Sequence, residues 1–136
     1  MKISATVQNS ESHHAVTLAT DGREKTLVIE PKSNGRGSAV NGGELLMAAL
    51  ATCMCNDLFR EAGRLGITIR DVEVEARGEF PAVGAAGEGI RYRVKISGDA
   101  DDAALRDLVQ HTDTVAEIQN TVRNAIAVRL GEIIVE

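Results

Sequence analysis

The residues best equipped for chemistry lie in one short stretch, Cys53-Met54-Cys55-Asn56-Asp57, with Arg60 and Glu61 just beyond. A cysteine acts as nucleophile or metal ligand through its thiolate, so its reactivity follows the charges around it. Asp57 stands one helical turn after Cys53, and on a helix the two share a face. A carboxylate there raises the thiol pKa and opposes reactivity unless Arg60, or an arginine from elsewhere, offsets it. Asp57, Arg60 and Glu61 otherwise read as a solvated or intersubunit ion-pair face. The bland alternative for Cys53 and for Cys55 is a small buried hydrophobe.

The two thiols are not expected to bond to each other. Residues two apart on a helix point about 200° away from one another, and a disulfide would require unwinding it. A Cys-x-Cys pair can serve a soft metal, but only His13, His14 and His111 stand elsewhere as further soft donors, so no metal site is expected. His111 sits in an expected linker, His111 to Asp113, and could line the same cleft as Cys53. The glycine-rich stretch Lys32-Ser33-Asn34-Gly35-Arg36-Gly37-Ser38 lacks the Gly-Lys-Ser/Thr ending of a phosphate-binding loop, and no cofactor is implied.

Those residues need elements to hold them. A chain of 136 residues is sufficient for one core and one domain, 1–136. A net charge of -5 without a Lys/Arg stripe argues against nucleic acid, and the absence of Trp removes the usual base-stacking platform. The longest apolar run, Leu45 to Cys55, is too short for a bilayer, which takes about 20 residues, so no membrane partner is expected. The opening Met1 to Val7 alternates polar and apolar residues and does not read as a signal peptide. With both cysteines in one triplet, a disulfide scaffold is excluded and a cytoplasmic address follows by default.

The first forty residues alternate as half-buried strands do: Ile3 to Gln8, Ala15 to Ala19, and Lys25 to Glu30 around the turn Thr20-Asp21-Gly22-Arg23. One long helix follows from Asn41 to Arg64, with Asn41 as cap, Glu44 at its positive end and Gly66 as stop. Its first three turns are apolar all round, which predicts that they lie in the core while the C-terminal half emerges toward solvent. Ile67 to Phe80 and Gly89 to Ser97 alternate again and predict an antiparallel pair. Asp99 to Asp102 cap a helix to about Gln110, a last helix runs from Val115 to about Asn124, and a final strand is expected at Ala125 to Val128 or at Ile133 to Val135 with Leu130. The fold class is α+β, with antiparallel sheets packed around a long central helix.

In this order of elements, and in Asn41-Gly42-Gly43-Glu44 followed by Leu45 to Thr52 and Cys53, the chain resembles the OsmC/Ohr superfamily over nearly its whole length. The resemblance implies an intertwined homodimer, since a helix apolar on every side needs a second subunit to cover it. It also implies a thiol-dependent reductase of organic hydroperoxides, in which Cys53 matches the attacking cysteine. The family's second, resolving cysteine aligns with Ala116, so an external thiol would have to reduce an oxidised Cys53. Among the family's activating residues, Arg36 or Arg23 could supply the cation. Glu44 stands one residue beyond the acid position of the Ohr branch, where this chain has Gly43, and it better matches a less characterised branch. Glu44 is about 13 Å along the helix from Cys53, so any action on the thiol would come across the dimer. The catalytic set is thus Cys53, Arg36 and Glu44, with Cys55, Asp57 and His111 as candidate binding residues. The alternative is a non-catalytic dimer that holds a small apolar or electrophilic ligand at the subunit interface.

Overall fold

The computed structural model describes residues 1–135, arranged as two compact units, Met1–Leu45 and the chain from Leu46 onward. In the first unit β1 (Ile3–Asn9), β2 (His14–Thr20) and β3 (Arg23–Thr26) form an antiparallel meander in that order. The turn between β2 and β3 places Asp21 and Gly22 both at positive φ, 48° and 79°. Two consecutive residues in that region match the twist of the flanking strands, and Asp-Gly tolerates it. β3 is shorter than its sequence pattern suggests. Leu27 N still donates to Val16 O at 3.0 Å, but pairing ends before Pro31, which has no N–H to offer. The glycine-rich loop closes on itself through a Pro31–Ser38 bridge and a bond from Lys32 N to Gly37 O at 3.0 Å.

Helix α1 (Gly42–Leu65) begins with a reciprocal capping box. Glu44 N donates to Asn41 Oδ1 at 2.9 Å and Asn41 N to Glu44 Oε2 at 2.8 Å. It ends at Gly66, whose φ of 69° lets Ile67 N reach back to Ala62 O at 2.9 Å. The burial along α1 runs opposite to the sequence expectation. Ala48, Ala49 and Thr52 of the apolar half are exposed and Leu50 is its one buried residue, whereas Met54, Asp57, Leu58, Glu61 and Ala62 of the second half are buried. The reason is that the second half has neighbours within the chain, and it is this half that forms the core.

That core packs Met54, Leu58, Ala62 and Leu108 against the inward residues of a hairpin, Val72 and Val74 from one strand and Tyr92, Val94 and Ile96 from the other. The hairpin is β4 (Ile69–Glu79) with β5 (Glu88–Gly98), antiparallel, and its period-two alternation puts those residues on one face. Gly98 is buried where a Cβ would meet Thr68 O at 2.8 Å, so the strand end tolerates no side chain there. Helix α2 (Asp102–Val115) is capped by Asp101, which accepts from Ala104 N at 2.8 Å, and α3 (Glu117–Arg123) follows after Ala116. His111 to Asp113 is therefore not a linker: α2 continues through it because Thr112, fully buried, extends the apolar stripe of Leu105 and Leu108 by another turn.

The expected terminal strand is also absent among the described residues. Residues 125–135 hold no strand, and Ile126, Val128, Leu130, Ile133, Ile134 and Val135 are exposed, because no strand of the chain pairs with them. Among the described residues, no helix is long and apolar enough to cross a membrane.

Candidate functional site

Cys53 and Asp57 face the same way on α1, as their spacing requires, and meet a third group from α3. The Cys53 thiol points its Sγ at Asp57 Oδ2, 3.5 Å away, and lies 3.9 Å from Glu117 Oε2. The backbone N–H of Ile118 also donates to the sulfur. Arg60, two turns along from Cys53, binds the surrounding carboxylates together: Nη1 lies 2.7 Å from Asp57 Oδ1 and 3.7 Å from Glu117 Oε1, and Nε lies 2.8 Å from Glu61 Oε1. Glu61 in turn meets Arg64 at 3.0 Å and His111 Nε2 at 3.1 Å. The site is graded in depth: the side chains of Asp57 and Glu61 are 7% and 4% exposed, Arg60 38% and Glu117 63%.

The charges do not balance evenly. Burial pushes the Cys53 thiol above its ordinary pKa, the Ile118 N–H opposes this in part, and the carboxylates of Asp57 and Glu117 add to the rise. Burial and the Glu117 charge also raise the Asp57 carboxyl, against the pull of Arg60. Glu61 goes the other way, held low by its hydrogen bond to Arg60 and then by His111 and Arg64. At neutral pH the sulfur is therefore a thiol with a carboxylate as its nearest acceptor. The three ligand-type atoms of Cys53, Asp57 and Glu117 lie within 4.8 Å of one another, but Arg60 already occupies the cationic position among them.

The remaining sequence candidates stand elsewhere or act indirectly. Cys55 is half-buried and a free thiol, as is Cys53. His111 reaches the cluster only through Glu61. Arg36 belongs to the first unit, where its Nε donates to Asn9 Oδ1 at 3.0 Å, beside the His14–Ser38 bond. Arg23 opens β3 in that unit, and Glu44 has its carboxylate in the capping box. Glu117 is the member that sequence reasoning overlooked. Its signal was its neighbour: the sequence resemblance expects Ala116 opposite the attacking cysteine, and the turn that buries Ala116 brings Glu117 and Ile118 against Cys53.

One turn before Cys53, Leu50 forms part of a cleft of about 660 Å³ between β5, α2 and α3. Ile90, Val94, Val109 and Val122 give it an apolar lining, and Tyr92, Asp113 and Arg123 form a bonded polar group in its wall. Gln119, also in the wall, is buried and donates from Nε2 to Leu50 O at 2.9 Å, while its Oε1 finds no partner among the described residues.

A long capped helix carrying a half-buried thiol, laid on an antiparallel hairpin and closed by two shorter helices, defines a class of α+β thiol proteins. The chain belongs to the OsmC-like family, whose model, described as OsmC-like protein, matches residues 35–131. Solved structures agree in fold. An OsmC-like protein from Mycoplasma pneumoniae is 19% identical, with a TM-score of 0.63 over 90% of this chain and 86% of that one. An organic hydroperoxide resistance protein OsmC from Legionella pneumophila is 21% identical, with a TM-score of 0.60 over 90% of each chain. One from Elizabethkingia anophelis, also named as an organic hydroperoxide resistance protein, is 20% identical, with a TM-score of 0.60 over 90% of this chain and 89% of that one. No curated protein matches in sequence.

Proposed function

We propose that the chain is a thiol-dependent reductase of organic hydroperoxides in which Cys53 is the nucleophile and an external small thiol restores it. The observation that carries this reading is the surroundings of Cys53: a half-buried sulfur in mid-helix, touched by a carboxylate that can take its proton and faced by the Ala116–Ile118 turn. Family membership and the naming of structural relatives for hydroperoxide resistance support the same chemistry. Because Ala116 carries no sulfur, a sulfenic acid on Cys53 is captured from solution, which suits a reducing, cytoplasmic compartment.

The whole chain acts as one domain in a homodimer. The exposed apolar face of α1 around Ala48 and the apolar tail from Ile126 to Val135 are the surfaces a second copy covers. In that assembly Arg36 or Arg23 brings the positive charge the thiol lacks, and Glu44 acts from across the interface. The direct test is intact mass after stoichiometric cumene hydroperoxide with a sulfenic-acid trap, on wild type, Cys53→Ser and Cys55→Ser. Rapid trapping confined to Cys53 is expected; oxidation no faster than that of free cysteine would refute the reading.

A second reading draws on the cleft beside Leu50. Its volume falls in the small-molecule range of roughly 300 to 1,000 Å³, it has an apolar lining, and the neighbouring thiol is not activated in the single chain. A non-catalytic dimer holding a small apolar ligand predicts saturable binding of such a probe with Cys53 left reduced.

A further inference from the structure

We infer that Asp57 is the catalytic base and acid of the Cys53 reaction, taking the thiol proton as the sulfur attacks and handing it to the leaving oxygen. This rests on the hydroperoxide-reductase reading above and assigns its proton path. Asp57 Oδ2 is the acceptor nearest the sulfur, at 3.5 Å, and Arg60 fixes the carboxylate by holding its other oxygen at 2.7 Å. Glu117 is farther, at 3.9 Å, and its side chain is mostly in solvent.

The distribution of charge selects Asp57 from its neighbours. The groups facing it are Cys53, Arg60 and Glu61 on its own helix and Glu117 on α3, with His111 on α2 reaching the cluster through Glu61. Arg60 is shared among three carboxylates. Glu61 has Arg64 and His111 besides, so its charge is matched, whereas Asp57 has no cation but Arg60, which it must share with the neighbouring Glu117. A buried carboxylate in that position accepts a proton more readily than an ordinary aspartate does, as its upward shift records.

In the reaction the S–H bond breaks toward Asp57 as sulfur forms a bond to the terminal oxygen of the hydroperoxide. The O–O bond breaks, and the alkoxide takes the proton from Asp57 and leaves as the alcohol. Sulfur is oxidised by two electrons to the sulfenic acid, the hydroperoxide is reduced by two, and Asp57 ends ionised as it began.

The test measures two reactions of Cys53 side by side, alkylation by iodoacetamide and oxidation by cumene hydroperoxide, in wild type and Asp57→Asn. Alkylation needs only thiolate, and removing a negative neighbour lowers the thiol pKa, so the variant alkylates faster at neutral pH. Oxidation should instead slow on the order of 10²-fold, a typical loss for a missing general base. If the substitution speeds both reactions, Asp57 merely perturbs the thiol and the inference is overturned. Should Asp57→Asn fail to fold, Glu117→Gln substitutes an exposed side chain instead. Without the Glu117 charge the Asp57 carboxyl titrates lower, so the acid limb of the oxidation profile moves to lower pH; an unmoved limb overturns the inference. Slow oxidation of wild-type Cys53 itself, equal to free cysteine, marks the separate failure of the reductase reading.

Discussion

Two clusters in the second unit are built from the same kinds of group and behave in opposite ways. Tyr92, Asp113 and Arg123 comprise a weak acid, a carboxylate and a guanidinium; so do Cys53, Asp57 and Arg60. Around Asp113 the partners are matched. Burial would raise its carboxyl, but the Tyr92 hydroxyl and Arg123 outweigh that and hold it below the ordinary value. Arg123 also ties α3 to the end of α2 by donating to Asp113 O at 3.1 Å. Around Asp57 the same arginine type is divided among additional carboxylates, and the carboxyl rises. A matched cluster stores a fixed arrangement of protons, whereas an undersupplied one lets a proton move. The first serves as a lock between elements and the second as a reactive site.

Removing Arg60 should have the largest effect, because it leaves Asp57 and Glu61 buried without their shared cation. Arg60→Gln is expected to cost about 2 to 3 kcal/mol in urea denaturation, toward the low side for a broken buried pair since Arg60 is partly exposed. Its pH dependence sharpens the point. In wild type Glu61 titrates below its ordinary value, so its contribution is present above the unfolded pKa and is lost as pH falls through the folded one. Without Arg60 the Asp57 carboxyl faces Glu117 with no cation and titrates higher still, while Glu61 keeps Arg64 and His111, so acidification from neutral pH should restore stability to the variant through Asp57. A variant that weakens in acid as wild type does would show that Arg60 is not the shared counterion.

The corresponding change in the lock is Asp113→Asn, expected to cost about 1 to 2 kcal/mol from weakened hydrogen bonds to Tyr92 and Arg123. It should leave the alkylation rate of Cys53 unchanged, measured on folded protein. A shifted thiol reactivity would mean that the clusters are coupled through α3, and the contrast between them would fail.

The local parts of the fold and one side of this contrast were legible in the sequence, and the limits are physical. The Asn41–Glu44 cap, the Gly66 stop and the Asp21-Gly22 turn are local, set by a few adjacent side chains, and all stand where the sequence puts them. The Cys53–Asp57 pairing follows from helical spacing alone. Burial along α1 was not legible, because an all-round apolar helix specifies that it must be covered and not by what; within this chain the hairpin and α2 cover the other half. Glu117 required a contact across sixty-four positions of sequence, which no period reveals. The lock escaped notice for the same reason, since Tyr92, Asp113 and Arg123 meet only once β5, α2 and α3 are assembled.

The resolving position offers a finer test of that assembly. Ala116 is fully buried at the turn that carries Ile118 N–H to the Cys53 sulfur. Ala116→Cys should therefore form a disulfide with Cys53 under mild oxidation, seen as loss of two hydrogens in intact mass and a fall from three alkylatable thiols to one, that of Cys55. Three thiols still alkylatable would place Ala116 out of reach and detach this turn from a resolving role.

The smallest expected effect isolates the proton held in the lock. Burial, and then Asp113, push the Tyr92 hydroxyl up to about 12. A folded pKa above the unfolded one means that the bond's contribution is complete below about pH 10, the unfolded value, and disappears as pH rises to about 12. Tyr92→Phe should cost about 1 kcal/mol at neutral pH and lose that part of the alkaline decline, since phenylalanine has no proton to give up. The Cys53 cluster supplies the control. Its thiol also titrates above its ordinary value, so the part of the decline that survives in Tyr92→Phe but vanishes in Cys53→Ser belongs to the reactive site. An alkaline limb that neither substitution changes would leave both clusters without a role in stability at high pH.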